Sequence, residues 1–222
     1  MLKRVSLYLL MINMLYHYYR FFHWYLSNEQ MQIELALNMG LLAFLSGIIF
    51  ILFVHISYFP KNILNSAHIP TYPPLIMIFS VNLGLLIGVS NLYFFQIYKL
   101  PEILNIFRSH EFGSFLILVS FLIIYLSVGL FKINNEDPNP VTETNKLLTT
   151  GIYKYIRNPM YLALVIFQIG IGMVLSFLHI SLLAFVTIIL LHYKIIKKEE
   201  VYLKNVFGDT YKNYLQNSRR WI

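Results

Sequence analysis

Polar residues that can bind a ligand are concentrated in two short segments near the C-terminus of the chain. The first, residues 147–161, reads LLTTGIYKYIRNPMY and carries hydroxyl groups, a guanidinium and an amide among apolar residues. Gly151 permits a turn, Asn158 is a favourable N-cap, and Pro159 suits the first turn of a helix. Free amides at a helix start attract a carboxylate or another anion. The segment therefore predicts an anion-accepting site or, equally, an interfacial anchor, because Tyr, Lys and Arg also collect at membrane boundaries.

Two adjacent acids, Glu199 and Glu200, form the second segment and directly follow two lysines. Such a pair can bind a cation, an amino group or ribose hydroxyls. The alternative is an ordinary solvated helix, in which Glu200 and Lys204 form an i,i+4 pair worth roughly 0.3 kcal/mol. The functional interpretation gains weight if the intervening chain brings the two segments together.

The composition shows that a membrane must surround the elements that position these segments. Of 222 residues, 58% are hydrophobic and 12% are charged, whereas soluble domains average about 45–50% apolar and about 25% charged. A chain of this size has too little interior to bury that excess. The net charge of +7 is spread among apolar runs, which is typical of helix flanks in membrane proteins and does not predict a nucleic-acid partner. The absence of cysteine excludes disulfides, thiolate metal sites and Cys nucleophiles.

Six segments are apolar over about the 20 residues that a helix needs to cross a bilayer. They are residues 5–26, 33–58, 74–98, 112–131, 159–177 and 180–196. Arg20 and two histidines interrupt the first segment, so the predicted fold is an all-α, polytopic bundle of five or six transmembrane helices. We divide it into N-terminal transmembrane helices, residues 1–131, and a C-terminal core, residues 132–222.

The last two apolar segments are joined by almost no linker around Leu178, which predicts a tight helical hairpin. Such a hairpin returns the polar loop, residues 132–158, and the tail, residues 197–222, to the same face of the membrane. Basic residues collect in the loop and the tail, and cytoplasmic segments of membrane proteins carry this excess. The sequence therefore predicts a site on the cytoplasmic face.

The C-terminal core resembles the integral membrane methyltransferases grouped with isoprenylcysteine carboxyl methyltransferase and the phospholipid methyltransferases. The resemblance rests on four elements in the family's order and spacing. They are LLTTGIY at 147–153, RNPMY at 157–161, the Glu199-Glu200 pair, and FGDTYKNY at 207–214. It covers about the last 80 residues, and residues 1–130 share only hydrophobicity with the family.

The resemblance implies a pocket for S-adenosylmethionine and direct transfer of its methyl group to a lipophilic acceptor from the bilayer. Such chemistry depends chiefly on alignment of the two reactants, so no catalytic triad is expected. The resemblance implies cofactor-binding roles for Asn145, Lys146, Leu147, Leu148, Tyr153, Asn158, Pro159, Met160, Tyr161, Glu199 and Glu200. It also implies catalytic roles for Arg157 and Glu199.

Two positions depart from the family pattern. Asn158 stands where the family usually has His, and it keeps hydrogen-bonding capacity without a cationic form near neutral pH. Ile195 stands where the prenylcysteine branch has an Arg that engages substrate. The departure at Ile195 favours an acceptor with an amine, thiol or hydroxyl head group over a carboxylate.

Two other functional interpretations remain open at this stage. Sterol reductases share an Arg-His-Pro-Asn-Tyr element, which would predict an NADPH-dependent oxidoreductase, but Met160 replaces their Asn. The second is a non-catalytic membrane protein on the same scaffold. No metal site is predicted, because the histidines lack the spacing of metal ligands. They include His55, His110, His179 and His192.

Overall fold

The computed structural model describes residues 2–27, 33–60, 65–95 and 102–221, and within these ranges the chain is helical without any β-strand. The helices are α1 (Leu2–Leu26), α2 (Ile33–Tyr58), α3 (Pro73–Ser90), α4 (His110–Ile133), α5 (Pro159–Val174), α6 (Leu178–Leu182), α7 (Ala184–Leu190) and α8 (Lys197–Asn217). Short 3₁₀ turns occupy Glu102–Arg108 and Gly151–Lys154, and π-helical turns occupy Asn91–Phe95 and Leu191–Ile196. Residues 96–98 of the predicted third span lie outside the described ranges.

Four helical segments of the described chain are long and apolar enough to cross a bilayer. They are Glu34–Tyr58, Pro73–Phe95, His110–Ile133 and Leu178–Asn217. The described residues are thus helical, and the four candidate spans support the prediction of a polytopic helical membrane protein. Helix α5 has only 16 residues and α1 is not among the four, so the count of five or six spans stays a prediction.

The aromatic end of α1 packs against the turn between α5 and α6. Phe21 and Phe22 are buried, and both rings meet the ring of Phe177 edge-on, with centroids 5.8 and 5.5 Å away. The Tyr25 hydroxyl donates a hydrogen bond to the Ser176 carbonyl at 3.2 Å. Edge-to-face aromatic pairs stabilise such a contact beyond the area that they bury, so α1 is anchored at the hairpin turn.

Helices α4 and α5 approach each other so closely that their backbones touch. A Cβ atom at Gly113 would lie 2.8 Å from the Gly170 carbonyl, and a Cβ atom at Gly170 would lie 2.8 Å from the Gly113 carbonyl. Small residues permit this close approach between helices in a membrane. Gly170 therefore serves the packing of the two helices.

The chain forms the hairpin that its short linker predicts. Helix α5 ends at Val174, and α6 begins at Leu178. The buried Gln168 side chain joins the two arms, because it donates to the Ile180 carbonyl at 3.1 Å and accepts from the Thr187 hydroxyl at 2.5 Å. Polar groups in an apolar interior are stabilising only when paired in this way.

Helix α8 is bent, and the bend returns the C-terminal tail to the start of α5. Gly208 has a φ of 52°, a left-handed conformation that glycine adopts without a steric penalty. Beyond it, the Arg157 amide donates to the Arg219 carbonyl and the Arg219 amide donates to the Tyr155 carbonyl, both at 2.8 Å. The apolar part of the long C-terminal segment ends at Ile196, so the polar helix α8 and the tail lie beyond the membrane-spanning part.

Candidate functional site

A cleft of about 840 Å³, partly open to solvent, lies between the polar loop, the start of α5 and α8. All but one of the residues predicted to form the site line it. They are Lys146, Leu147, Leu148, Tyr153, Arg157, Asn158, Pro159, Met160, Tyr161, Glu199 and Glu200. The hairpin thus brings the two polar segments of the sequence together.

The start of α5 presents its backbone amides without a side-chain cap. The helix begins at Pro159, as predicted, but the Asn158 side chain makes no capping hydrogen bond. Asn158 occupies the predicted N-cap position, but its side-chain amide donates to the Arg220 carbonyl at 2.9 Å instead of capping the helix. The amides of Met160 and Tyr161 therefore keep the partial positive charge of a helix start beside the cleft.

Glu199 is bound to a tyrosine from the facing helix. The Tyr161 hydroxyl donates a hydrogen bond to Glu199 Oε1 at 2.5 Å. Burial is the main cause that raises the pKa of the Glu199 carboxyl to about 7; the hydrogen bond from Tyr161 lowers this pKa, and the negative charge of Glu200 adds a smaller increase. A carboxyl group of this kind exchanges its proton near neutral pH.

Glu200 has a different environment, because two arginines compensate its charge. Arg220 donates to both of its carboxylate oxygens, from Nε at 2.8 Å and from Nη2 at 2.7 Å. Arg157 Nη2 lies 3.6 Å from Glu200 Oε1. Two-pronged pairs between Arg and carboxylate groups are among the stronger charge-assisted contacts. Of the two adjacent acids, only Glu199 lacks an arginine partner among the described residues.

Arg157 holds the C-terminal tail at the edge of the cleft. Its Nη1 atom donates to the Leu215 carbonyl at 3.2 Å and also to the Ser218 carbonyl. Its Nε atom is buried without a hydrogen-bond partner in the described part of the chain. Most contacts of the Arg157 guanidinium are therefore with the tail and with Glu200, so this side chain holds the tail in place.

Tyr153 places a buried hydroxyl group at the wall of the cleft. Its ring packs edge-on against Phe131, with centroids 5.8 Å apart, and its carbonyl accepts a hydrogen bond from the Tyr214 hydroxyl at 2.6 Å. Burial raises the pKa of Tyr153 well above its ordinary value. Its own hydroxyl has no partner among the described residues. Buried polar groups are almost always paired, so this hydroxyl is available to a ligand or a water molecule.

A second, mainly apolar cavity of about 820 Å³ adjoins the cleft. The first turn of α3, with Tyr72 and Pro73, forms one side, and Ile124 of α4 and Leu164 of α5 form the other. Residues 137–140, Met160 and Tyr161 line both spaces. A polar cleft and an apolar cavity thus share one wall.

Comparison with known proteins identifies the segment that builds this site. Residues 109–210 match the model of the phospholipid methyltransferase family. The match covers less than half of the chain. The chain is also similar to a protein-S-isoprenylcysteine O-methyltransferase of Schizosaccharomyces pombe, with 37% identity over 68 residues. That match covers 31% of this chain and 29% of the yeast protein, so the chain matches less than a third of its relative.

The phospholipid methyltransferase segment is longer than the sequence elements alone predict. It begins at residue 109, whereas we expected residues 1–130 to share only hydrophobicity with the family. The segment therefore includes α4, whose backbone touches that of α5 at Gly113 and Gly170. That close contact makes α4 part of the same packed unit, and the boundary at residue 131 stays a prediction.

One predicted site residue lies away from the cleft. Asn145 is exposed and is not part of the cleft lining, and its backbone amide donates to Glu136 Oε2 at 3.2 Å. Thr149 and Thr150, which the sequence offers as further donors, are also exposed. Their position reflects the irregular loop, where no helical period indicates which side chains point inward.

The cleft also contains residues that we did not predict. Tyr211 and Tyr214 lie three residues apart on α8 and therefore share a helix face, so the tyrosine spacing of the tail was a usable signal. The turn at 137–140 reads as a linker in the sequence and carries no such signal. The other unpredicted lining residues are Ala67, Phe131, Thr144, Tyr202 and Leu203.

Proposed function

We propose that this protein is an integral membrane methyltransferase that uses S-adenosylmethionine and methylates a lipophilic acceptor. The observation that carries the proposal is the cleft itself, most of which is lined by residues of the matched range 109–210. Glu199 lies on one wall, and the uncapped amides at the start of α5 lie on the other. S-adenosylmethionine carries a carboxylate, an ammonium group and a sulfonium cation. A site for this molecule needs hydrogen-bond donors for the carboxylate, acceptors for the positively charged groups, and an apolar surface beside them.

The residues of the cleft fit that donor by their chemistry. The amides of Met160 and Tyr161 suit its carboxylate, because a helix start attracts anions. Glu199 suits the ribose hydroxyls, since no arginine in the described part of the chain pairs with its carboxylate. Leu148 is buried and supplies an apolar wall, and the unpaired hydroxyl of Tyr153 offers one more polar contact.

The donor supplies a methyl group that is already electrophilic, so the protein's part is to bind, orient and exclude water. Alignment of two reactants accounts for a large share of catalysis in such reactions. Glu199 and the amides at the start of α5 orient one reactant from opposite walls. Arg157 keeps the tail against that helix start through its bonds to Leu215 and Ser218. Its predicted catalytic role becomes, in this proposal, a positioning role.

We place the acceptor in the apolar cavity beside the cleft, with its chain toward the bilayer. The shared wall at Met160 and Tyr161 is where the head group meets the donor. Ile195 is fully buried in the apolar core, so this position offers no cation to a carboxylate head group. An amine, thiol or hydroxyl head group is the better fit.

We also propose that the site faces the cytoplasm. The loop and the tail are in contact through Arg157 and Arg219, so they lie on one side of the membrane. The basic residues at both ends of this unit favour the cytoplasmic side.

Equilibrium binding in detergent tests the proposal. Radiolabelled S-adenosylmethionine should bind the purified protein, and NADPH should not compete with it. Glu199→Gln should weaken binding, whereas Glu143→Gln, on an exposed acid of the same loop region, should leave it unchanged. Binding of NADPH in place of S-adenosylmethionine would support the reductase alternative and refute the methyltransferase.

A further inference from the structure

We propose that Tyr161 and Glu199 form a proton relay that takes a proton from the nucleophilic atom of the methyl acceptor. The substrate class is then an acceptor that carries this proton, which means an amine, a thiol or an alcohol. A carboxylate acceptor needs no such group. This inference rests on the proposed methyltransferase function and adds a chemical role to two residues of its site.

The position of Tyr161 is the first argument. Tyr161 is a lining residue of both the polar cleft and the apolar cavity, whereas Glu199 lines the cleft. The 2.5 Å hydrogen bond from the Tyr161 hydroxyl to Glu199 therefore connects a residue beside the proposed acceptor cavity to an acid in the cleft. Because the Tyr161 hydroxyl donates to Glu199, its oxygen keeps lone pairs that can accept a proton from a group in the apolar cavity.

The charges around Glu199 are the second argument. Arg157 and Arg220 both pair with Glu200, and Glu199 forms no ion pair with any described residue. The pKa of Glu199, raised to about 7 by burial, suits a group that accepts and releases a proton at neutral pH. The titratable and charged groups around it are Tyr153, Tyr161, Glu200, Tyr211, Arg157 and Arg220.

The hydroxyl of Tyr161 is not required to hold the helices together. The Tyr161 ring is packed in an apolar cluster with Val165, Ile195 and Ile196, and this cluster already joins α5 to the C-terminal segment. A purely structural tyrosine would contribute chiefly through its ring. The hydroxyl therefore has a separate role, which removal of that single atom can test.

The relay balances in atoms and charge. The acceptor's X–H proton moves to the Tyr161 oxygen while the Tyr161 proton moves to Glu199 Oε1. The acceptor's electron pair forms a bond to the methyl carbon, and the sulfur–carbon bond breaks with its electron pair left on sulfur. The products are the methylated acceptor, a neutral thioether, an unchanged tyrosine and a protonated Glu199, which later releases its proton to water.

Tyr161→Phe is the decisive variant, because it removes the hydroxyl and keeps the ring. The acceptors to assay are phosphatidylethanolamine, a long-chain alkyl thiol and, as the carboxylate, prenylcysteine. At saturating S-adenosylmethionine, kcat for the amine or the thiol should fall by about 10²-fold or more, the usual contribution of a positioned acid or base. The Kd for S-adenosylmethionine should change by no more than about tenfold, which is far less than the loss in kcat. Tyr125→Phe, at an exposed position on α4, is the control.

The pH profile separates this role from a structural one. In the wild-type protein, kcat should rise as the pH increases through about 7, because Glu199 must lose its proton to act as the base. Tyr161→Phe and Glu199→Gln should both abolish that rise. A Tyr161→Phe variant with wild-type kcat and an unchanged profile would refute the relay, and so would efficient methylation of the prenylcysteine carboxylate alone.

Infrared difference spectroscopy of the protein without donor or acceptor supplies a readout independent of turnover. A protonated-carboxyl absorption should titrate with a midpoint near pH 7, disappear in Glu199→Gln and shift in frequency in Tyr161→Phe. Its absence from the wild-type spectrum would refute the relay even if the methyltransferase is confirmed. Failure of the wild-type protein to bind S-adenosylmethionine would instead refute the proposed function, and the relay with it.

Discussion

Removal of the Arg220 side chain should loosen the tail that closes one end of the site. Arg220 binds both oxygens of Glu200, whose side chain is only 16% exposed, while its own side chain is 34% exposed. Exposed ion pairs contribute about 0.2–1 kcal/mol, and loss of one partner of a buried pair costs about 3–5 kcal/mol. Arg157 stays 3.6 Å from Glu200 in the variant and offsets part of the loss. We therefore expect Arg220→Ala to lower the free energy of unfolding by roughly 1.5 kcal/mol.

Thermal unfolding in detergent measures this effect. For a chain of this length, 1.5 kcal/mol corresponds to a fall in Tm of about 3–6 °C. Arg219→Ala is the matched control, because the Arg219 side chain is exposed and its backbone bonds remain. The double variant with Glu200→Gln should be less destabilised than the sum of the two single variants. Additive effects, or equal losses in both arginine variants, would show that the pair does not hold the tail.

Three further predictions concern topology, binding and packing. Cysteines introduced at Glu143 and Asn217 should react with an impermeant maleimide from the same side of the membrane, and labelling from opposite sides would contradict the shared face. Glu199→Gln should raise the Kd for S-adenosylmethionine by roughly ten- to a hundredfold, as expected for loss of a charge-assisted bond of about 1.5–3 kcal/mol. Gly113→Val should lower Tm markedly, because its Cβ would lie 2.8 Å from the Gly170 carbonyl. An unchanged Tm would show that α4 and α5 separate without cost.

Local chemistry made much of this architecture predictable. The helix start at Pro159 follows from a fixed φ angle and a missing amide hydrogen, and the apolar segments follow from the thickness of a bilayer. The meeting of the two polar segments follows from the short hairpin linker. Each of these inferences uses residues that are near one another in the sequence.

Contacts between distant residues account for what sequence reasoning missed. Asn158 gives up its capping bond because the Arg220 carbonyl, 62 positions later, accepts its side chain instead. Glu199 and Glu200 are adjacent on a helix and therefore point about 100° apart, so one faces Tyr161 and the other faces two arginines. Nothing in the local sequence distinguishes the two acids.

The bend at Gly208 has a mechanical consequence for the whole C-terminus. No atom lies within 4 Å of the place where a side chain would begin, so the backbone conformation alone, and not crowding, fixes the change in direction. Another residue there would find space, but φ 52° with ψ −124° would strain its backbone by about 1–3 kcal/mol. Straightened, the nine residues from Asp209 to Asn217 would form a rod that projects roughly 14 Å away from the cleft. The backbone conformation of one residue, Gly208, thus determines whether the C-terminal part of α8 lines the cleft or extends into solvent.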